Sequence, residues 1–163
     1  MKQRIIVILS LLVLAGCQPA DTSEEWTRIS DKYVEAWNTG NMELLDGVID
    51  AQFVRVLGST ITSEGLDSLK IYITAFREMY PDVHVTVDER FHAGDQSASR
   101  WTFTATHSGF GNPALKGRPV INTGMSFMRM TDGKLVEERV ETNQLPWMLQ
   151  LGFTLTPPSG ADE

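Results

Sequence analysis

Residues 135–143 of this 163-residue chain, LVEERVETN, read as a β-strand, and successive residues of a strand point to opposite faces. Glu137, Arg139, Glu141 and Asn143 therefore share one side, while Val136, Val140 and the aliphatic part of Thr142 share the other. A row of carboxylates, a guanidinium and a carboxamide can orient a carbonyl or a water, and a carboxylate can also move a proton. The same row is what a solvated sheet face looks like, with Arg139 and Glu141 as a same-face ion pair, and the strand alone does not choose. His107 is a second group with chemistry to offer. It ends a strand face shared with Trp101, Phe103 and Ala105, either as a hydrogen-bonded core or rim histidine or as a pocket group. His84 and His92 fall in or near an outer strand, and with no cysteine near them and no paired-histidine spacing no metal site is expected.

The elements that must position these groups follow from periodicity. After Thr22 and Glu25, a capping-box pair, Trp26, Ile29, Tyr33 and Trp37 recur at helix-face spacing until Asn38-Thr39-Gly40 ends the helix. Asn41 can cap a shorter second helix with Leu44, Leu45, Val48 and Ile49 on its face, and residues 53–57 then form a short strand. A turn at Gly58-Ser59 leads to a third helix, capped by Ser63 and stopped by Pro81, with Leu66, Leu69, Ile73, Phe76 and Tyr80 on one stripe. From there the period falls to two. Val83, Val85 and Val87 alternate with polar neighbours, and Ala93-Gly94-Asp95 makes a turn. Residues 97–107 and 120–130 form long strands on either side of a Gly- and Pro-rich loop, 108–119, long enough to act as a lid. Asp132-Gly133 is a hairpin signal that delivers the last strand, and Leu145, Trp147, Met148 and Leu149 form a short closing helix. The expected fold is α+β, a strongly curved antiparallel sheet packed against three N-terminal helices around a conical cavity. Trp37 and Trp101 are expected in its wall. Arg100, Thr102, Thr104 and Thr106 face the other way, suited to water or to a second copy of the chain in a homodimer.

The N-terminus speaks to compartment. Lys2 and Arg4 precede an apolar run over residues 5–15, too short to span a bilayer and shaped like the core of a secretory signal. It ends at Leu14-Ala15-Gly16-Cys17, which resembles the bacterial lipobox, and Cys17 is the only cysteine in the chain. The resemblance implies a signal peptide over 1–16, lipidation of Cys17, a linker over 17–22, a folded domain over 23–153 and a disordered tail over 154–163. Gln18 in place of Asp after the cysteine favours the outer membrane, with the domain in the periplasm. Fourteen Lys and Arg stand against 21 Asp and Glu, and losing Lys2 and Arg4 with the leader makes the balance more acidic. That charge argues against nucleic acid or an anionic head-group surface as a partner.

Several stretches together resemble a known family. Residues 33–41 (YVEAWNTGN), Tyr80-Pro81-Asp82, residues 100–109 (RWTFTATHSG), Asn122-Thr123-Gly124 and residues 132–152, ending in Leu-Gln-Leu-Gly, are similar in order and spacing to the SnoaL-like polyketide cyclase or ester cyclase family. That family lies within the nuclear transport factor 2-like superfamily. The resemblance implies a conical α+β barrel with a deep apolar pocket, often dimeric, and an aspartate near the end of the last strand. In the cyclases that aspartate is the general acid/base of an intramolecular aldol ring closure, without metal or cofactor. The family's last strand commonly reads Glu, Trp, then Asp four residues on. Here Arg139 stands in the Trp position and Asn143 in the Asp position, so the acid/base is missing, and a carboxamide cannot ionise in its place.

Two functions remain open on these residues. One is a binding module that takes a small apolar molecule into a pocket lined by Trp37, Asn38, Trp101, Phe103, Arg139 and Asn143. The other is a cofactor-independent cyclase, isomerase or hydrolase in which Glu141, or failing that His107, supplies the base.

Overall fold

The computed structural model describes residues 23–156. Thr22, Cys17 and the rest of the expected signal and linker, together with residues 157–163 of the expected tail, lie outside the described residues. Helix α1, Ser23–Thr39, buries Trp26, Ile29, Ser30, Tyr33 and Ala36, the spacing of a single helix face. Gly40 ends it in a left-handed conformation (φ 77°) and its N–H donates to the Ala36 carbonyl at 3.0 Å. Asn41 does cap the next element, its side chain accepting from the Glu43 N–H, but that element is one 3-10 turn, Met42–Leu45. Val48 and Ile49, expected on a helix, instead lead into strand β1, Ile49–Leu57. β-branched residues favour that extended backbone.

A second correction follows at once. The Gly58-Ser59 turn folds the chain straight back into β2, Thr60–Glu64, paired antiparallel with β1. Ser63 is therefore a buried strand residue and not a cap, and helix α2, Leu66–Met79, starts after Gly65, which has no capping side chain. The run Thr60-Ile61-Thr62 carries the β-branched residues that make a strand there. Strands β3, His84–Ala93, β4, Gln96–Thr106, β5, Pro119–Thr131, and β6, Lys134–Thr142, then form a meander, and α3, Gln144–Gln150, closes the domain.

The six strands lie in the order β2-β1-β6-β5-β4-β3. All neighbours are antiparallel except β1 and β6, which run parallel, so the sheet is mixed. The fold is α+β as expected, but the sheet is open, with β2 and β3 as its edges, and α1 and α2 pack against it. Of the three helices expected at the N-terminal end, two are α-helices and the middle one is a single 3-10 turn, while the short closing helix stands where it was expected, as α3. Trp26, Ile29, Leu45, Phe53, Leu69, Ile73 and Leu135 form the fully buried centre of one core cluster. Tyr80, Val83, Phe103, Ala105 and Val120 form a second. No helix among the described residues is long and apolar enough to cross a membrane.

Trp26 is fully buried, and its indole N–H donates to the Gly94 carbonyl at 3.0 Å, tying α1 to the β3–β4 turn. Trp26→Ala is expected to lower unfolding stability by about 3–5 kcal/mol. Ile71→Ala, at a residue 70% exposed, should change it by less than about 0.5 kcal/mol. Urea denaturation of the two variants checks the contrast.

Candidate functional site

Between the two core clusters the sheet and helices form a half-open cavity of about 220 Å³. Strand alternation builds one wall: Ser97, Ser99, Trp101 and Phe103 from β4, Ser126 and Met128 from β5, Glu138 and Thr142 from β6. Val83 in the turn before β3, with Val85 and Val87 on it, supplies a second wall, and Arg55 and Leu57 of β1 a third. Helices α1 and α2 cover it with Tyr33, Trp37, Tyr72 and Phe76, and α3 contributes Trp147. The rings pack on one another, Trp37 edge-on to Phe76 at 5.5 Å and Phe76 edge-on to Phe103 at 5.8 Å, so the wall is a connected aromatic surface. Gly124 makes room for it. A Cβ there would collide with the Trp101 indole and with the Glu141 carbonyl.

One polar cluster interrupts this surface. Glu138 is 3% exposed and accepts three hydrogen bonds. The Tyr33 hydroxyl donates to Oε2 at 2.6 Å, Arg55 Nε donates to the same oxygen at 2.9 Å, and the Ser126 hydroxyl donates to Oε1 at 2.7 Å. Trp101 Nε1 donates to Ser126 Oγ at 3.0 Å, so an aromatic wall residue is locked to the carboxylate through one hydroxyl. The Arg55 guanidinium lies over the Tyr72 and Trp37 rings, 4.9 and 5.6 Å from their centroids, and Nη1 donates to Thr62 Oγ1 at 3.1 Å. Burial works against the charge of Arg55, but Glu138 and the Tyr33 and Tyr72 hydroxyls outweigh it and hold the guanidinium protonated beyond its ordinary range. Burial, followed by the charge of Glu138, pushes the Tyr33 phenol well above 10.0, with Arg55 opposing. Tyr33 is thus a neutral donor. Among the described residues no group of three His, Cys, Asp or Glu gathers to hold a metal ion.

Of the residues singled out from the sequence, Trp37, Trp101 and Phe103 line this cavity. The other pocket expectations need correcting. Asn38 lies outside the wall and clamps α1 to β3, with Oδ1 accepting the Val85 N–H at 2.6 Å and Nδ2 donating to the Val85 carbonyl at 3.0 Å. Arg139 stands on the outer face with its side chain 64% exposed and pairs with Glu137 at 2.6 Å, not with Glu141. Glu141 is exposed on the same outer face. Asn143, at the start of α3, is also exposed, and its Nδ2 donates to Thr123 Oγ1 at 2.6 Å. All three follow the odd-numbered parity of β6, whose even-numbered residues from Glu138 onward face inward. His107 is buried but outside the cavity wall. Its Nδ1 accepts the Gly109 N–H at 2.9 Å and its ring meets Tyr80 edge-on at 5.1 Å, so it pins the root of the 108–119 loop.

Glu138, Arg55, Tyr33 and Ser126 were not singled out, though two of them left a sequence signal. Glu138 alternates with Val136, Val140 and Thr142 on the apolar face, and Arg55 alternates with Phe53 and Leu57. A charge on an apolar strand face has to find a buried partner.

Folded Tyr33 keeps its proton where the unfolded chain loses it, so its contribution to stability is level below about pH 10 and falls as pH rises beyond that. Tyr33→Phe should make this alkaline fall shallower, while costing about 1.5–3 kcal/mol at neutral pH through the lost bond to a charged acceptor. Urea unfolding on both sides of about pH 10 measures both effects.

Comparison with known proteins agrees with this architecture. No curated protein matches the chain by sequence. Among solved structures, TsrD from Streptomyces laurentii superposes with a TM-score of 0.71 at 20% identity, covering 80% of this chain and 96% of that one. IdmH from Streptomyces antibioticus, a proposed polyketide cyclase, superposes with a TM-score of 0.66 at 26% identity, covering 77% and 99%. A proposed polyketide cyclase from Bacillus cereus gives 0.68 at 22% identity, covering 80% and 83%. The family model for the SnoaL-like polyketide cyclase matches residues 27–151, from the first turn of α1 to the end of α3. A match that spans the folded part from end to end makes this chain a member of the SnoaL-like polyketide cyclase family.

Proposed function

We propose that this member of the family is a lipid-anchored envelope protein whose cavity binds a small, apolar, ring-bearing molecule. The observation that carries the reading is how Glu138 is held. An ionised carboxylate offers about four acceptor positions, and Tyr33, Arg55 and Ser126 occupy three of them. A group tied down in this way serves as a polar floor that orients a ligand, with about one acceptor position left over. The connected rings above it offer a flat apolar ligand contact over its whole length. Cys17 at the end of the lipobox-like run, with Gln18 after it, supports attachment to the outer membrane facing the periplasm. A second copy packing on the outer sheet face belongs to the same reading, supported by Met125 and Phe127 exposed on that face.

A cofactor-independent cyclase, isomerase or hydrolase is the second reading. It is favoured by one feature, a carboxylate of the last strand inside the cavity, and it would give Glu138 the role expected of Glu141 or His107.

Native mass spectrometry of the protein purified from its host's envelope is expected to show one retained small molecule, lost on Trp101→Ala. An empty cavity in every preparation would sink the binding reading. Steady turnover of aromatic ester or enol substrates that disappears in Glu138→Gln would favour the enzyme instead. Cys17→Ala is expected to move the chain from the membrane to the soluble fraction, and unchanged membrane partition would remove the anchor. A monomer in sedimentation equilibrium would remove the second copy.

A further inference from the structure

We propose that the α3 end of the cavity is a subsite for an acceptor oxygen, a ketone or ester carbonyl carried by the bound molecule; this rests on the reading of the cavity as a binding site. Three buried polar atoms there have no hydrogen-bond partner among the described residues: Asn122 Nδ2, Thr142 Oγ1 and Trp147 Nε1. Thr142 and Trp147 line the cavity, while Asn122, 3% exposed, lies outside its wall. Trp147 lies near enough to the Tyr80 hydroxyl to oppose the upward push that burial gives that phenol. Its indole N–H nevertheless makes no hydrogen bond of ordinary geometry. Asn122 spends its carbonyl oxygen on the Thr123 N–H at 3.0 Å, which leaves its amide NH2 over.

Sheet register places the three at the same end of the sheet. Thr142 pairs with Gly124, two residues from Asn122 along the inward face of β5. Asn122 pairs with Phe103, whose ring meets that of Trp147 edge-on at 5.6 Å. An amide NH2 and an indole N–H can only donate, and the threonine hydroxyl can do so as well, so the group selects an acceptor and offers nothing to a cation. Unpaired donors of this kind are unfavourable in the empty protein, and a ligand oxygen relieves them.

The Glu138 end lies elsewhere. Ser126 is four residues from Asn122 along β5, and Glu138 four from Thr142 along β6, so the two polar ends are about 13 Å apart at the usual strand rise. The ligand class is therefore elongated, with rings between Trp101, Phe103 and Phe76, a carbonyl at the α3 end and a second polar group facing Glu138.

Acetylnaphthalene and ethylnaphthalene share a shape and differ in one carbonyl oxygen, and calorimetric titration of the purified protein with each isolates that oxygen. The unmodified protein is expected to bind the ketone about tenfold more tightly. In Thr142→Val/Trp147→Phe, which removes two donors and trims one ring of the wall, that preference should fall to near parity, read as the ratio of the two affinities so that lost ring contact weakens both compounds alike. Thr142→Val alone should remove about threefold of the preference, which keeps the test independent of whether the double variant folds. Equal binding of both compounds by the unmodified protein overturns the subsite, as does a ketone preference that survives the substitutions. In either of those cases the cavity remains a binding site. If neither compound binds, the subsite and the binding reading fall together.

Discussion

An ion pair withdrawn from water constrains everything around it. Taking a carboxylate and a guanidinium into an apolar interior costs several kcal/mol per ion unless each is answered by the other and by further hydrogen bonds. Arg55 and Glu138 sit opposite each other across the parallel β1–β6 ladder, so their pairing and the strand register are one requirement. A slip of one residue would set Arg55 against Glu137 or Arg139 and turn the inward row of β6 out to water. The parallel pair is what lets the last strand of a meander lie beside the first strand of the domain, with both ends of the fold meeting at the polar floor.

The remaining partners of this pair come from elements far apart in sequence. Tyr33 on α1 supplies the short hydroxyl bond, Ser126 on β5 the other oxygen's donor, and Tyr72 on α2 a ring face for the guanidinium. Each contact positions an element as well as a side chain. Helix α1 is held over the sheet at Tyr33 and again at Asn38, which clamps β3 through both of its amide atoms. Trp101 is held from below by Ser126 and given space by Gly124. The cavity persists because its wall is a propped arrangement of large rings. Those rings cannot collapse inward without breaking edge-to-face contacts or stranding the Arg55–Glu138 pair.

For function, the inward face matters in two places. At one end donors surround a carboxylate and fill three of its acceptor positions. At the other end donors stand without acceptors. The polar row of the outer face, Glu137, Arg139 and Glu141, lies outside the cavity and takes no part in either. The position that resembles the family's catalytic aspartate, Asn143, stands at the junction of β6 and α3, where its Nδ2 donates to Thr123 Oγ1. The match over residues 27–151 gives the family and its architecture, and an asparagine stands at the position that resembles the acid/base.

Composition and periodicity alone determined much of this protein. The apolar spacing of α1 and α2, the turns at Gly94 and Gly133, the long strands of the second half and the aromatic wall residues Trp37, Trp101 and Phe103 all follow from local rules of backbone and burial. Those rules act within a few residues, and so they read well from a linear chain. What they could not decide was which face of β6 looks inward, because alternation yields two faces and says nothing about which one the helices cover. They also could not pair Arg55 with Glu138, 83 residues apart, since only the β1–β6 register makes them neighbours. Tertiary structure chose the sparser face, where one acid among apolar residues found its base, and left the obvious polar row to water, because a buried charge needs a partner and a solvated one does not.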